Sequence, residues 1–558
     1  MEGCQVSKKY GTRTSRNSWN RDEAAERLQR AERIQNVESQ RRAAAGVDVP
    51  RSTLRGWQNR KAELELPENA ATFFESPEGV AFLHRMLAAL HVVFSGVGPC
   101  GPRLISKFLQ LIDLSDLIGT SYGAQFDYGT EVREALAEFG KEESARLAEQ
   151  MSPREITVCE DETFHPQICL VAIEPLSDFI LLEQYASNRE AETWSEQLDA
   201  ATAGFPIKIV QSTSDEGRSL VKHCRTGLGA HHSPDVFHVQ QDVSRAFSGK
   251  TNGTVSRQKT KLREAKRETA RLRSERQAIG PTHEVFFDNQ IELAEGEEQQ
   301  AARDIEKAKR ERQVVRDAVR GISDVYHPVD LMETGEPRTS EEVQAALAEK
   351  FDQAERLADT WEVSQSRRKL ITKARKVVPR MVATIAFFWS MVRFKMDALQ
   401  LSSETTRQLT ETLVPAVYME QASRRASKAE ERKRLRETAA ILLTKARDGP
   451  LRNLSDEKRE EVERVGRDCA GLFQRSSSCV EGRNGRLALH HHGLHRLSTK
   501  KLAALTTLHN YFIERADHTT AAERFFGSPP RDLFQWLLER LPLPPRPRRR
   551  GTSPGLEA

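Results

Sequence analysis

The strongest constraint on this chain is a run of short apolar segments between residues 156 and 242, in a sequence otherwise patterned for helices. Their spacing predicts strands over 156–164, 168–173, 179–185, 206–210 and 235–240, with helices over 189–203 and 218–226. This order predicts a mixed sheet with early hairpins and later right-handed crossovers. We therefore expect a multidomain α+β protein that is mostly helical.

Composition supports long helices around modest cores. The chain has 558 residues, 30% charged and 38% hydrophobic, so several domains are expected. A net charge of +4 means that affinity for an anionic partner must come from local basic patches. The seven scattered cysteines disfavour a disulfide framework and indicate a reducing compartment.

The start of the chain lacks a secretory signal pattern. The most apolar run, 381–392, is too short to span a bilayer and predicts a buried helix. We therefore expect a soluble cytoplasmic protein with no membrane partner.

Residues 21–66 are patterned as a helix-turn-helix. Residues 32–45 have helical spacing, Gly46 can end that helix, and residues 47–50 predict a tight turn. Leu54 and Trp57 then form an apolar pair on the next helix, which would enter the major groove. An ordinary amphipathic helix pair is the alternative. The residues expected to contact DNA are Arg51, Ser52, Thr53, Arg55, Asn59 and Arg60.

From residue 243 to about 474 the sequence contains no convincing strand. Two highly charged helices, 256–277 and 290–319, flank Gly280 and Pro281 and predict a helical hairpin. Further helices are expected over 341–356, 381–399, 420–446 and 456–473. The charge of the hairpin indicates a solvated face, with a basic face that follows DNA as the alternative.

Two carboxylates follow predicted strands. Asp161 lies near the end of the first strand and Asp215 just after the fourth, so the two are neighbours if those strands pair. Phosphodiester cleavage uses two Mg²⁺ ions held by carboxylates to activate the nucleophile and stabilise the leaving oxygen. An Asp at a strand end is also a common turn residue, but the pair together predicts a metal site.

The order of these motifs resembles the ribonuclease-H-like core of DDE transposases, where the first Asp lies on strand one and the second just after strand four. It is also similar to bacterial insertion-sequence transposases whose core is split by an all-helical insertion. The sequence Asp235-Val236-Phe237-His238 matches the Cys/Asp-x-x-His signature of Mutator-like and hAT-like transposases. The resemblance covers about residues 25–550.

This resemblance implies a metal-binding triad of Asp161, Asp215 and Glu481, which would hold two Mg²⁺ or Mn²⁺ ions. His238 would act near the scissile phosphate, and Asp235 is the other signature residue. Glu481 is the best match for the third acid because it follows the helical insertion. Competing acids are Glu160, Glu162, Glu216 and Glu523.

Two further patterns have structural and functional interpretations. The histidines at 490–492 and 495 include a helical i, i+4 pair, but no suitably spaced cysteine or acid completes a zinc site. In hAT-like enzymes an aromatic of the insertion stacks on a flipped base, which makes Trp361 and Trp389 candidates. The apolar neighbours of Trp389 favour core packing.

The expected domains are a loose N-terminus (1–20), the helix-turn-helix (21–66), a helical domain (67–152), the first part of the core (153–243), the all-helical insertion (244–474), the last part of the core (475–540) and a basic tail (541–558). The resemblance implies a nucleoid-associated DNA transposase that binds element ends, cleaves and transfers strands, and works at least as a dimer on double-stranded DNA. The alternatives are a catalytically inactive DNA-binding regulator and a structure-specific nuclease.

Overall fold

The structure is a computed structural model that describes residues 21–35, 39–49, 51–58, 73–74, 76–115, 117–164, 166–279, 284–494 and 497–543. Over these ranges the chain is mostly helical and contains a single five-stranded mixed sheet, which confirms the α+β, mostly helical class. It divides into two compact units. One comprises residues 1–91, 105–125 and 542–558, and the other 92–104 and 126–541.

The first unit begins with three short helices, α1 (Arg21–Gln35), α2 (Gln40–Gly46) and α3 (Arg51–Gln58). The single helix predicted over 32–45 is instead divided between α1 and α2, and Ser39 is the N-cap residue of α2. The turn after Gly46 places Asp48 at a φ of 53°, a left-handed conformation that Asp tolerates. A small core forms around the fully buried Leu54, with Trp57 packed against it.

Four helical segments lie between residues 77 and 150. They are α4 (Pro77–Leu90), a π-helical stretch (His91–Val97), α5 (Pro102–Leu111) and α6 (Tyr122–Gln150). Gly98, Pro99 and Gly101 lie between the π-helical stretch and α5, where glycine and proline end helices. Within the second unit, Phe139 of α6 packs edge-to-face against Tyr511 and Trp536, at centroid distances of 5.5 and 5.2 Å.

The sheet has the strand order β3-β2-β1-β4-β5. Its strands and crossover helices are β1 (Arg154–Phe164), β2 (Ile168–Glu174), β3 (Phe179–Ala186), α7 (Ala191–Thr202), β4 (Ile207–Ser214), α8 (Arg218–Lys222) with a π-helical extension (His223–Gly227), and β5 (His231–Pro234). The first three strands are antiparallel, whereas β4 is parallel to β1 and β5 to β4. The predicted mixed sheet and its element order are confirmed.

The fifth strand was predicted in the wrong place. Residues 235–240 are not a strand, because β5 ends at Pro234 and a helix begins at Val236. Val236, Val239 and Val243 are all buried, and their i, i+3, i+7 spacing forms one face of that helix. A short apolar run is ambiguous between strand and helix, and here helical packing decides.

The long insertion is helical, as expected. Its elements are α9 (Val236–Ile279), α10 (Glu284–Val325), α11 (Ser340–Thr360), α12 (Gln365–Arg375), α13 (Val378–Asp397), α14 (Ser403–Arg425), α15 (Ala429–Asp448) and α16 (Asp456–Gly471). The helix predicted over 420–446 is wrong, since Ala426 adopts an extended conformation between α14 and α15. A large apolar core joins these helices, with Phe351, Phe388 and Leu413 fully or almost fully buried.

Helices α9 and α10 form the predicted hairpin. Ion pairs cross between them, with Arg273 Nη2 at 2.5 Å from Glu295 Oε1 and Arg276 Nε at 2.6 Å from Asp288 Oδ1. Near the base of the hairpin, Gln240 Nε2 donates to the Val319 carbonyl at 2.9 Å.

After the insertion the chain returns to the sheet as α17 (Ser478–Leu494), α18 (Thr499–Tyr511), α19 (Ala521–Phe526) and α20 (Leu533–Arg540). Val480 and Leu487 of α17 pack with Leu502 and Leu505 of α18 on Cys159, Val171 and neighbouring residues of the sheet. One face of the sheet is therefore covered by elements that lie more than 230 residues after it in the sequence.

Among the described residues, two helical stretches are long and apolar enough to cross a membrane, Pro77–Val97 and Gln365–Asp397. The second includes the predicted buried helix. Met381, Ile385, Phe388 and Val392 lie fully buried in the insertion core, as expected for the core helix of a globular domain.

Candidate active site at the ends of β1 and β4

Asp161 and Asp215 occupy equivalent positions on adjacent parallel strands. The last paired residues of β1 and β4 are Cys159 and Thr213, and each aspartate lies two residues further on. Because side chains alternate along a strand, Asp161 shares the face of Cys159, the face covered by α17. The pairing of strands one and four on which the metal prediction depended is confirmed.

The two signature residues lie where the insertion leaves the sheet. Asp235 directly follows β5 and is buried, and its Oδ1 accepts a hydrogen bond from the backbone N–H of Phe237 at 2.7 Å. It therefore caps the N-terminus of α9. His238 lies on the first turn of α9, with its Nε2 3.8 Å from Asp235 Oδ2.

The insertion re-enters the sheet beside the point where it leaves. The carbonyl of Gln474 accepts hydrogen bonds from Gln211, Thr213 and Ser233, side chains of β4 and β5, at 2.9–3.3 Å. Three residues later the hydroxyl of Ser477 donates to the carboxylate of Asp235. These contacts fix the start of α17, which carries Glu481 in its first turn.

Asn484 is a site residue that sequence reasoning missed. It lies one turn after Glu481 on α17, and its Nδ2 donates to Asp161 Oδ2 at 3.2 Å. The side chain is half-buried, and its Oδ1 has no hydrogen-bond partner among the described residues. The i, i+3 spacing of Glu481 and Asn484 was the available signal, because it places both on one helical face.

The surroundings of Asp161 disfavour its ionised form. The pKa of Asp161 is raised to about 6 from its ordinary value of 3.8. Burial is the main cause, and the charges of Glu481 and Asp215 act in the same direction, whereas the hydrogen bond from the backbone N–H of Glu162 and the charge of His238 lower the pKa. The two other acids of the predicted triad and the predicted histidine thus all change the pKa of Asp161. The charges of Asp215, Glu481 and His238 therefore all act on the Asp161 carboxylate.

The donor set fits a hard divalent cation in chemistry. Carboxylate oxygens are the ligands that Mg²⁺ prefers, and a cation would favour the ionised form of Asp161, which burial and the charges of Glu481 and Asp215 disfavour. The arrangement is not a closed metal cage: within the described parts of the chain, no three His, Cys, Asp or Glu side chains converge closely enough to hold an ion. Asp161 is instead occupied by Asn484 and by the backbone N–H of Glu162, and Asp215 Oδ1 by that of Gly217.

The acids flanking Asp161 have other partners. Glu160 is fully buried and accepts hydrogen bonds from Ser212 Oγ at 2.5 Å and from His223, whose Nε2 lies 3.2 Å away. Glu162 is paired with Arg189 at 3.1 Å and accepts from the indole of Trp194 at 3.3 Å. Both contacts involve elements of the opposite face of the sheet.

The two other candidates for the third acid, Glu216 and Glu523, also have other surroundings. Glu216 forms an ion pair with Arg380 of α13, at 2.6 Å. Glu523 belongs to α19, whose Phe525 stacks on Phe179 of the edge strand β3, with ring centroids 4.5 Å apart. Glu481 is therefore the better candidate for the third acid.

The predicted DNA-contacting residues belong to the first unit. Arg51 and Arg55 are exposed on α3, and Arg51 Nε donates to Gln40 Oε1 at 3.3 Å. The side chains of Ser52 and Thr53, and Asn59 and Arg60 altogether, lie outside the described residues.

In the histidine cluster, the described residue His490 is buried, and both candidate tryptophans pack against the insertion core. His490 is buried, which lowers its pKa to about 4, whereas His495 lies outside the described residues. Trp389 is partly buried in the insertion core and donates its indole N–H to the Arg338 carbonyl at 2.9 Å, in line with the core role favoured from sequence. Trp361 also packs against this core.

Comparison with known proteins gives one family match, over the last part of the chain. Residues 409–553 match the model of a family of unknown function, DUF6399. This match begins within α14 and includes Glu481 and Asn484, but not Asp161 or Asp215. No curated protein and no solved structure matched the chain.

Proposed function

We propose that this chain is a DNA transposase, which cleaves and transfers DNA strands with Mg²⁺ at Asp161, Asp215 and Glu481. One observation carries the proposal: Asp161 and Asp215 each lie two residues beyond the last paired residues of the adjacent strands β1 and β4, and the charges of Asp215 and of Glu481 on α17 both act on the Asp161 carboxylate. Carboxylates that oppose one another's ionisation in a partly buried site are the kind of arrangement that a bound cation stabilises.

The topology supports a ribonuclease-H-like reading of the sheet. Its order places the ends of β1 and β4 side by side, as that fold requires for its first two acids. The third acid follows an all-helical insertion that leaves after β5 and returns beside it. This matches the split core that the sequence resemblance implies.

The chain's own residues have distinct roles in this proposal. Asp161, Asp215 and Glu481 hold the ions, which supply Lewis acidity toward the phosphodiester when bound. Asn484 orients Asp161 through its hydrogen bond. His238 Nε2 is buried and has no hydrogen-bond partner among the described residues, so it is available to donate to a phosphate oxygen.

The helical start of the first unit supports end recognition. Leu54 and Trp57 of α3 pack inward, while Arg51 and Arg55 are exposed on the same helix. A helix that presents arginines outward from a small three-helix core is suited to the major groove. We assign this part of the chain to recognition of element ends as a helix-turn-helix.

The test is Mg²⁺-dependent nicking of a supercoiled plasmid that carries the DNA flanking the gene. Wild type is compared with Asp161→Asn, Asp215→Asn and Glu481→Gln, and with Glu216→Gln and Glu523→Gln as matched controls. Binding to the same DNA is followed in EDTA. We expect the first three changes to abolish nicking without weakening binding, and the two controls to retain nicking.

The alternatives give different outcomes. A catalytically inactive regulator would bind the flanking DNA and never nick it with Mg²⁺ or Mn²⁺. A structure-specific nuclease would cut branched DNA without preference for the flanking sequence. Nicking that survives loss of Glu481 but not of Glu523 would overturn the assignment of the third acid.

A further inference from the structure

The hairpin helix α9 carries an unusual basic face. An open groove of about 640 Å³ runs along it and is lined by four cations, Lys259, Arg263, Lys266 and Arg267, together with Ser256, Thr260, Leu262 and Ala270. All four cations are exposed, and none is ion-paired among the described residues. We call these four residues the groove cations.

The groove cations lie on the exposed side of α9, beside the hairpin interface. Thr251, Thr269 and Leu272 of α9 are buried, and Leu262 and Ala265 between them are half-buried. These positions recur at about 3.5 residues, the spacing of an interhelical seam. Ser256, Thr260 and the groove cations lie outside this seam and face solvent.

Charge is distributed unequally between the two helices. Residues 256–279 contain nine Lys or Arg and three Glu, whereas residues 284–302 contain six Asp or Glu and no Lys or Arg. Two of those acids, Glu295 and Asp288, neutralise Arg273 and Arg276 across the hairpin. Internal pairing therefore involves the cations nearest the tip, and within the described parts of the chain it leaves the groove cations without acidic partners.

We propose that this groove binds the phosphate backbone of double-stranded DNA. From Ser256 to Ala270 the face extends about 20 Å along the helix, the length of about six base pairs. Cations with interspersed hydroxyl groups suit phosphate oxygens, and none of the described residues that line the groove has an aromatic side chain for base stacking. The contact is therefore independent of base sequence.

This inference rests on the proposed function in that it gives the DNA a second contact, on a different element from α3 and the carboxylate site. DNA binding by the groove does not require cleavage. The affinity for duplex DNA without divalent ions tests the groove, and nicking tests the carboxylates, so the two proposals can fail independently.

The experiment uses the full chain and a 30-base-pair duplex of arbitrary sequence in EDTA, over a range of salt concentrations. The variant is Lys259→Gln/Arg263→Gln/Lys266→Gln/Arg267→Gln. Each phosphate contact contributes about 0.9 to the slope of log affinity against log salt. We expect the slope to fall by about 3 and the affinity at about 0.1 M salt to fall at least ten-fold.

The matched control is Arg303→Gln/Lys307→Gln/Arg310→Gln/Arg316→Gln, which removes the same charge from exposed positions of the other hairpin helix. It should change the slope by less than about 1. Circular dichroism establishes that both variants keep the helical content of wild type.

Three results would overturn the proposal. They are an unchanged slope in the groove variant, an equal fall in both variants, and loss of binding to phosphatidylserine vesicles with unchanged binding to DNA. A wild type that never nicks DNA, with a groove variant that loses duplex binding, would refute the transposase proposal and leave the groove standing.

Discussion

The buried carboxylate of Asp235 accepts a hydrogen bond from the hydroxyl of Ser477, although 242 residues separate them in the chain. Asp235 caps α9 and Ser477 precedes α17, so this contact joins the two ends of the helical insertion. The first turn of α9 carries His238 and the first turn of α17 carries Glu481. One side-chain contact therefore helps to set the geometry of both candidate site residues.

Ser477→Ala should weaken this junction. The change leaves one oxygen of a buried carboxylate without its donor, which costs about 1–3 kcal/mol. Urea unfolding should show a lower midpoint, and the nicking rate should fall because α9 and α17 are less firmly aligned. Ser478→Ala is the control, because Ser478 is exposed. Equal effects of the two changes would show that the contact has no special role.

Asn484→Ala should slow nicking about 10- to 100-fold, as loss of a group that orients a metal ligand does. The change removes the hydrogen bond to Asp161 Oδ2 and leaves the three carboxylates in place. Duplex binding in EDTA should be unchanged, and the Mg²⁺ concentration needed for half-maximal rate should rise. A normal Mg²⁺ dependence would contradict a positioning role for Asn484.

The strands were predictable because each is a short apolar run that ends at turn residues, and four of five were placed correctly. The fifth failed because Val236, Val239 and Val243 fit a helical face as well as they fit an apolar strand. Similarly, no Gly or Pro marks the break at Ala426 between α14 and α15, so the sequence showed one helix where there are two.

The candidate site was only partly predictable. The positions of Asp161 and Asp215 followed from strand ends, and strand alternation would also have directed Glu160 and Glu162 to the opposite face. The placement of Glu481 depended on a family resemblance, because no local pattern brings α17 to β1. The i, i+3 spacing could place Asn484 on the helical face of Glu481, but its hydrogen bond to Asp161 needed the structure, since a single amide on a helix does not indicate its partner.

Asp161→Asn should stabilise the protein at high pH in EDTA. The pKa of Asp161 is about 6 in the folded chain against 3.8 for an ordinary Asp, so its ionised form opposes folding. Well above pH 6 this costs on the order of 3 kcal/mol, and below about pH 4 the cost vanishes because both states are protonated.

The free energy of unfolding of wild type therefore decreases as the pH rises from about 4 through 6, because Asp161 ionises less readily in the folded chain than in the unfolded chain. The melting temperature of Asp161→Asn should exceed that of wild type at pH 8 and equal it at pH 4. Asp199→Asn, at an exposed position of α7, is the control and should show no such pH dependence. Saturating Mg²⁺ should raise the melting temperature of wild type at pH 8 and so reduce the difference in melting temperature between wild type and Asp161→Asn.

Arg483→Met should be among the most destabilising single changes in the core. Arg483 of α17 is buried and donates two hydrogen bonds to the carboxylate of Glu183 on β3, at 2.7 and 2.5 Å. Removing the arginine leaves a buried carboxylate whose remaining donor, among the described residues, is the hydroxyl of Thr506, which costs about 3–5 kcal/mol. Arg483→Met/Glu183→Leu should recover much of that loss, because no charge then remains buried. A double variant no more stable than Arg483→Met in urea unfolding would show that packing of α17, rather than the unpaired charge, dominates.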